Sequence, residues 1–167
     1  NVGAAKPVSV SGINVSGTDA ANYTFNTTAA TAADITARAL TVSAAGQNRV
    51  YDGTADASVT LGDNRVAGDV LSLSNTAASF ADKNVGAAKP VSVSGINVSG
   101  TDAANYTFNT TAATAADITA RALTVSAAGQ NRVYDGTTDA NVTLSDNRLA
   151  GDVLTLGNTA ANFADKN

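Results

Sequence analysis

The 167-residue chain has no cysteine, histidine, methionine or tryptophan, only two prolines, and no glutamate, so that all 14 acidic residues are aspartate. Without cysteine or histidine there is no disulfide, no thiol nucleophile, no Ser-His-Asp triad and no zinc site of the usual kind. General acid–base work would fall to Asp, Lys or Tyr, each needing strong pKa tuning; no enzyme is expected. A net charge of −4 and a pI near 4.5 oppose nucleic-acid binding, which needs a basic surface. No apolar run approaches the ~20 residues of a membrane span, so no membrane insertion is expected. Nor does any stretch read as a signal peptide; for a secreted protein the targeting segment is expected elsewhere in a longer chain.

What the chain does have is repetition. Residues 1–83 align with 84–166 without a gap, a period of 83, and Asn167 repeats the first residue of both copies. Positions 1–54 are identical to 84–137. The differences are Ala55/Thr138, Ser58/Asn141, Gly62/Ser145, Val66/Leu149, Ser72/Thr155, Ser74/Gly157 and Ser79/Asn162. Only Val66/Leu149 exchanges one large apolar residue for another; the rest swap small or polar residues, as on a solvated face. A catalytic site gains little from being stacked in copies, whereas a spacer does.

Each copy reads as strands. "PVSVSGINVSG" (7–17) alternates Val8 and Val10, then shifts phase at Gly12 to Ile13 and Val15, predicting a bulge or kink. Tyr23 and Phe25 share one face of "NYTFN", Ala57, Val59 and Leu61 one face of "DASVTL", and Leu71 and Leu73 one face of "VLSLS". The variable Ser58, Ser72 and Ser74 fall on the opposite faces. The Ala clusters at 29–33 and 77–78 lack helical periodicity, though a short helical turn is an open alternative there. Six or seven short strands in about 80 residues predict an all-β fold of tandem immunoglobulin-like, antiparallel Greek-key β-sandwiches. Asp19-x-Ala21-x-Tyr23, repeated as Asp102-x-Ala104-x-Tyr106, has tyrosine-corner spacing, in which a Tyr hydroxyl bonds back to backbone. The phase switch between Ile35 and Leu40 marks one domain running into the next. On that reading 1–35 is the C-terminal part of one repeat, 36–118 is a complete sandwich, and 119–167 is the N-terminal part of a third. Half-sandwiches expose apolar faces and open edges. The expected partners are therefore neighbouring copies: 119–167 of one chain completes 1–35 of the next, head to tail, or the chain is a window of a longer array.

"ITARALTVSA", "RVYDGT", "AGDVLSL", "FADKNVGAAKPVSVSGINVSGTDAANYTF" and "TAADI" occur in this order. Together they resemble the YDG domain, a relative of the MBG repeat found in long surface adhesins of Gram-negative bacteria, many of them filamentous-haemagglutinin-like proteins exported by two-partner secretion. The resemblance covers both copies. It implies extracellular or cell-surface tandem β-domains acting as stalk or matrix, and no catalytic residues. One departure is visible: the junction expected as Ile-Thr-Pro reads Ile35-Thr36-Ala37 and Ile118-Thr119-Ala120, which removes a fixed φ angle there.

Candidate sites each have a structural counterpart. In Tyr51-Asp52-Gly53 and Tyr134-Asp135-Gly136 the Asp-Gly pair reads as a turn, with glycine accepting φ > 0 and Asp bonding its local backbone. The alternative is a sugar-stacking Tyr51 or Tyr134 in a lectin-like module. Calcium is the one cofactor considered, with Asp52, Asp56, Asp135 and Asp139 as candidate ligands, although no EF-hand or glycine–aspartate nonapeptide pattern is present. Asp63, Asp69 and Asp82 read as further solvated turn acids. Lys6 and Lys83 raise an isopeptide bond to Asn, against simple pairing of Lys83 with Asp82 or an edge-guarding role. "NVS", "NYT" and "NTT" match the glycosylation pattern but arise readily in such composition, and Pro7 in "AAKP" marks a strand start or edge.

Overall fold

The computed structural model describes residues 1–166. In chain order the strands are β1 (Gly3–Ser11), β2 (Thr28–Ile35), β3 (Arg38–Leu40), β4 (Val42–Gly46), β5 (Arg49–Val50), β6 (Val59–Asp63), β7 (Ser72–Ser74), β8 (Ala77–Phe80), β9 (Gly86–Ser94), β10 (Asn97–Ser99), β11 (Tyr106–Phe108), β12 (Thr111–Thr119), β13 (Val125–Gly129) and β14 (Val142–Asp146). Single 3-10 turns lie at Ala20–Asn22 and Ala103–Asn105. Among the described residues the chain is all-β. The Ala clusters are strand, in β2 and β8: alternating Thr and Ala suit a pleated ladder, and the partner strand supplies the backbone hydrogen bonds.

The central sheet has the order β5-β12-β9-β8, and the remaining strands form two-stranded ladders β1-β2, β3-β11, β4-β6, β7-β10 and β13-β14. Two ladders depart from the expected antiparallel pattern: β3 runs parallel to β11 and β5 parallel to β12. The early strands of a unit and its late strands point the same way, as a chain must when it enters a unit at one end and leaves at the other.

The expected kink is at Gly12 and its counterpart Gly95: both have positive φ, and in the second copy the chain leaves β9 there and resumes as β10 in a different ladder. A second irregularity lies earlier. Register shifts between Gly3 and Lys6 in β1, and between Ala116 and Ile118 on the β12 side of β9. There Ala5 and Ala88 adopt positive φ, and the Asp34 and Asp117 carboxylates accept their N–H groups at 2.7 Å, offsetting a conformation unfavourable for alanine. Gly12, at φ 70°, follows the end of β1. Pro90 lies inside β9, one residue beyond the last β8 pair, Phe80 with Val91, where no neighbour on that side requires its missing N–H.

The buried core is drawn from both parts of 36–118: Leu40, Val42, Leu71 and Phe80 from the first, and Val91, Val93, Ile96, Val98, Tyr106, Ala116 and Ile118 from the second. None of the seven positions that differ between copies belongs to it. The identical sequence at 1–35 fares differently. Val91 is 1% exposed and its counterpart Val8 39%, and Ile118 is 1% exposed against 51% for Ile35. At the other end Phe80 is 3% exposed while Phe163 is 44%. Secondary structure follows the same division. The local hairpins β1-β2 and β13-β14 form just as β9-β12 and β4-β6 do. By contrast, Asn14–Ser16 and Tyr23–Phe25 carry the sequences of β10 and β11 without being strands. Long-range pairing exists only where the complementary part of the unit is present.

This generates a paired test. Replacing Ile118 by Ala should cost about 2–5 kcal/mol, the range for a buried Ile, and shift the urea midpoint accordingly. Ile35→Ala, the same change in the same local sequence, should leave the midpoint of the dilute protein within about 0.5 kcal/mol of wild type.

Candidate functional site

Asp52 and Gly53 (φ 85°) close the Tyr-Asp-Gly-Thr corner. One oxygen of Asp52 accepts both the N–H and the hydroxyl of Thr54, each at 2.9 Å, while the other takes the Arg49 guanidinium. The same guanidinium donates to the Thr54 hydroxyl at 3.0 Å and to its carbonyl, and lies 5.2 Å from the centre of the Phe80 ring. Thr54, first through its N–H, and then Arg49 hold Asp52 below the usual carboxylate range. Asp135 repeats every feature with Thr137, Arg132 and Phe163, and Gly136 again has positive φ. Both carboxylates are thus turned onto their own loops. Asp56 and Asp139 sit in isolated bridges to Ser79 and Asn162. Among the described residues no three His, Cys, Asp or Glu side chains gather to hold a metal ion.

Tyr51 is placed for a different task. Its N–H donates to the Thr119 carbonyl at 2.8 Å, and its hydroxyl donates to Asp152 Oδ1 at 2.7 Å, 101 residues further along the chain. Lys83 approaches the same Asp152 oxygen at 3.4 Å and sits 5.8 Å from the Tyr51 ring centre. Tyr51, Val85, Arg121, Leu149 and Leu154 line a cleft of about 230 Å³ here. The expected Lys83–Asp82 pair is not formed: Asp82 takes Lys89 at 2.6 Å, and Lys83 reaches across to Asp152. Lys6 donates to the Asn1 carbonyl.

A second polar lock holds the turn Val66-Ala67-Gly68-Asp69-Val70. The Tyr106 hydroxyl accepts the Val66 N–H at 2.9 Å and donates to Asp69 Oδ2, while Asp102 accepts the Val70 N–H at 2.9 Å. Tyr106 does bond backbone, but across 40 residues rather than within its own arch. Ala104 is exposed, and it is Ala103 that packs on the core. Asp19, Ala21 and Tyr23, the same motif in the first copy, are exposed, Tyr23 by 70%. Gly100 (φ 123°) lies so close to this turn that a Cβ there would stand 2.3 Å from the Val70 carbonyl oxygen. Beside it, the Asp63 side chain is only 2% exposed and pairs with Arg65, so it is not a solvated acid. Arg65 also donates to the Leu71 carbonyl at 2.8 Å. Arg148 and Asp146 repeat that pair.

Sequence reasoning missed the roles of Asp63, Asp69, Asp102 and Asp152. The Asp-Asn-Arg spacing carried a usable local signal, because Asp63 Oδ1 also accepts the Arg65 N–H two residues on. The partners of Asp69 and Asp152 are 37 and 101 residues distant, and local spacing does not encode them.

These polar groups bond one another and anchor turns and junctions: the fold and site define an all-β chain whose distant segments are joined by polar contacts. The chain belongs to the YDG domain family, whose model matches residues 36–115 and again 119–167. None of the curated proteins and none of the solved structures matches it.

The polar locks set a pH profile. Asp63, through its Arg65 hydrogen bonds, and Asp152, through Tyr51 and then Lys83, are held below the ordinary carboxylate value of 3.8. Their contribution is therefore present above pH 3.8 and is lost as pH falls through their lowered values. Tyr106, bonded to Asp69, is held above 10.0, so its contribution is complete below pH 10.0 and disappears as pH rises through its raised value. Urea midpoints measured from pH 2 to 12 should fall at both ends, and Tyr106→Phe should flatten the alkaline limb only.

Proposed function

We propose that this chain is a non-catalytic structural module of an extracellular bacterial adhesin or filament of the filamentous-haemagglutinin-like, two-partner-secreted kind. It serves as a stalk or spacer whose units are immunoglobulin-like Greek-key sandwiches with a period of 83 residues. Residues 36–118 form the complete unit; 1–35 and 119–167 are parts of units that neighbouring copies complete, either head to tail between chains or along a longer array. The observation that carries this reading is that 1–35 and 84–118 are the same sequence, with Ile118 sealed in a core and Ile35 half exposed. The residues that bury the former, between 36 and 83, recur at 119–166 with seven changes, all outside that core.

As a spacer, each unit adds a few tens of ångströms, given strands of about 5–8 residues at ~3.4 Å per residue. The acidic, Ser/Thr/Asn-rich surface keeps such an array soluble. The rival reading is a glycan- or calcium-binding adhesion module. It draws chiefly on Tyr134, 70% exposed, because the Tyr51 hydroxyl is held by Asp152 and its ring faces Lys83.

Light scattering across a concentration series should show growth of the protein into linear species, and electron micrographs should show beaded fibres with a uniform axial step. Thermal melts with calcium and with a glycan panel should be unshifted. A strict monomer that is stabilised by calcium or a glycan would replace the spacer reading with the rival.

A further inference from the structure

The carboxylates of Asp69 and Asp152 occupy the same place in successive copies, yet different tyrosines hold them. Asp69 receives Tyr106 on Oδ2, from within its own unit. Asp152 receives Tyr51 and Lys83 on Oδ1, from the preceding unit. A carboxylate has two oxygens and room for both donors. Each of these aspartates is therefore seen with one half of a set whose other half is seen on its twin.

The surroundings agree. Tyr51 fills its cleft against Val85, Arg121, Leu149 and Asp152. One period earlier, Val2, Arg38, Val66 and Asp69 line a cleft of about 340 Å³ in which Tyr106 is the one tyrosine among the described residues, and the place that Tyr51 takes beside Asp152 has no counterpart. The tyrosine equivalent to Tyr51 is Tyr134, which is 70% exposed, and the lysine equivalent to Lys83 is Lys166, also exposed. At the other end Tyr23, the equivalent of Tyr106, is 70% exposed as well.

We propose that this aspartate is a two-tyrosine lock between copies of the chain. When 119–166 of one molecule meets 1–35 of a second, Tyr23 of the second closes on Asp152 of the first. Tyr134 and Lys166 of the first close on Asp69 of the second. The inference rests on the head-to-tail reading above and adds its contact chemistry. Its warrant is continuity with the contact inside the chain, where the same residue types already meet at 2.7 Å. Hydrogen bonds to a carboxylate are among the stronger ones, and they are directional. The lock therefore fixes the rotation of one unit on the next, which apolar packing alone would leave loose.

Sedimentation velocity over a concentration series tests it with Tyr134→Phe, Tyr134→Ala and Lys166→Ala, all exposed positions whose change should leave the urea midpoint of the dilute protein unmoved. Tyr134→Phe should weaken association about tenfold, the value of one hydrogen bond to a charged acceptor, and Tyr134→Ala by more. Association as tight as wild type in the Tyr134 variants would overturn the lock while leaving head-to-tail completion standing. A wild-type protein that stays monomeric would overturn both. The lock inside the chain gives a reading independent of assembly: Tyr51→Phe should speed tryptic cleavage after Arg121 severalfold, and an unchanged rate would overturn the lock regardless of how the ends behave.

Discussion

A strand with one apolar face needs two things at once, a ladder partner for its backbone and a cover for its face. In this chain neither is available locally beyond a hairpin. Residues 84–118 contribute Val91, Val93 and Ile118 to a core that closes only because Leu40, Val42, Leu71 and Phe80 arrive from earlier in the chain. Of the ladders that unite the two parts, β3 with β11, β5 with β12 and β7 with β10 are long-range, and β8 with β9 joins consecutive strands across five residues. The chain performs the control on itself. The same letters at 1–35 keep β1-β2 but not the strands that answer to β10 and β11, and 119–166 keeps β13-β14 and its local Asp135 and Asp146 pairs but leaves Phe163 exposed.

Polar groups then fix what the apolar core leaves free. With only four tyrosines and no tryptophan or histidine, the chain uses the tyrosine hydroxyl as its long-range connector. Tyr106 pins the turn at 66–70 to the core of its own unit, and Tyr51 pins the following unit through Asp152. Aspartate is the receiver in both cases. Its short side chain suits this work, reaching neighbouring backbone N–H groups in turns while costing little rotamer entropy. The repeated Tyr-Asp-Gly-Thr stretch is thus a corner and a joint together: Asp52 and Gly53 turn the chain, and the turn aims Tyr51 at the next unit.

Much of this was legible in the sequence. Period-2 alternation identified the apolar faces of Val8/Val10, Val59/Leu61 and Leu71/Leu73, and copy-to-copy differences marked the solvated positions. The Asp-Gly corner followed from turn chemistry alone. Local patterns did not carry the relations between distant segments. Nothing near Lys83 distinguishes Asp82 from Asp152 as its partner, and nothing near Tyr106 names Asp69. The parallel pairing of β3 with β11 is a property of topology, with no mark in either strand. Spacing named Ala104 as part of the tyrosine-corner motif but not which alanine of that stretch packs inward, which is Ala103 in the 3-10 turn at Ala103–Asn105. The Ala clusters became strand because β1 was there to pair with β2 and β9 with β8, so the partner strand settled what alanine's own propensity left open.

The pattern of sequence drift between the copies has a physical consequence. Ser72 and Ser74 lie on the outward face of β7 and their counterparts Thr155 and Gly157 are exposed outside any strand, while Val66 and Leu149 lie on turns that line the two clefts. All core residues and all four members of the tyrosine–aspartate set are unchanged. Within the chain 36–83 closes on 84–118, and no difference between the copies falls on a residue of that core. What keeps such units in order is connection along one chain, which gives each segment a high effective concentration of its own complement.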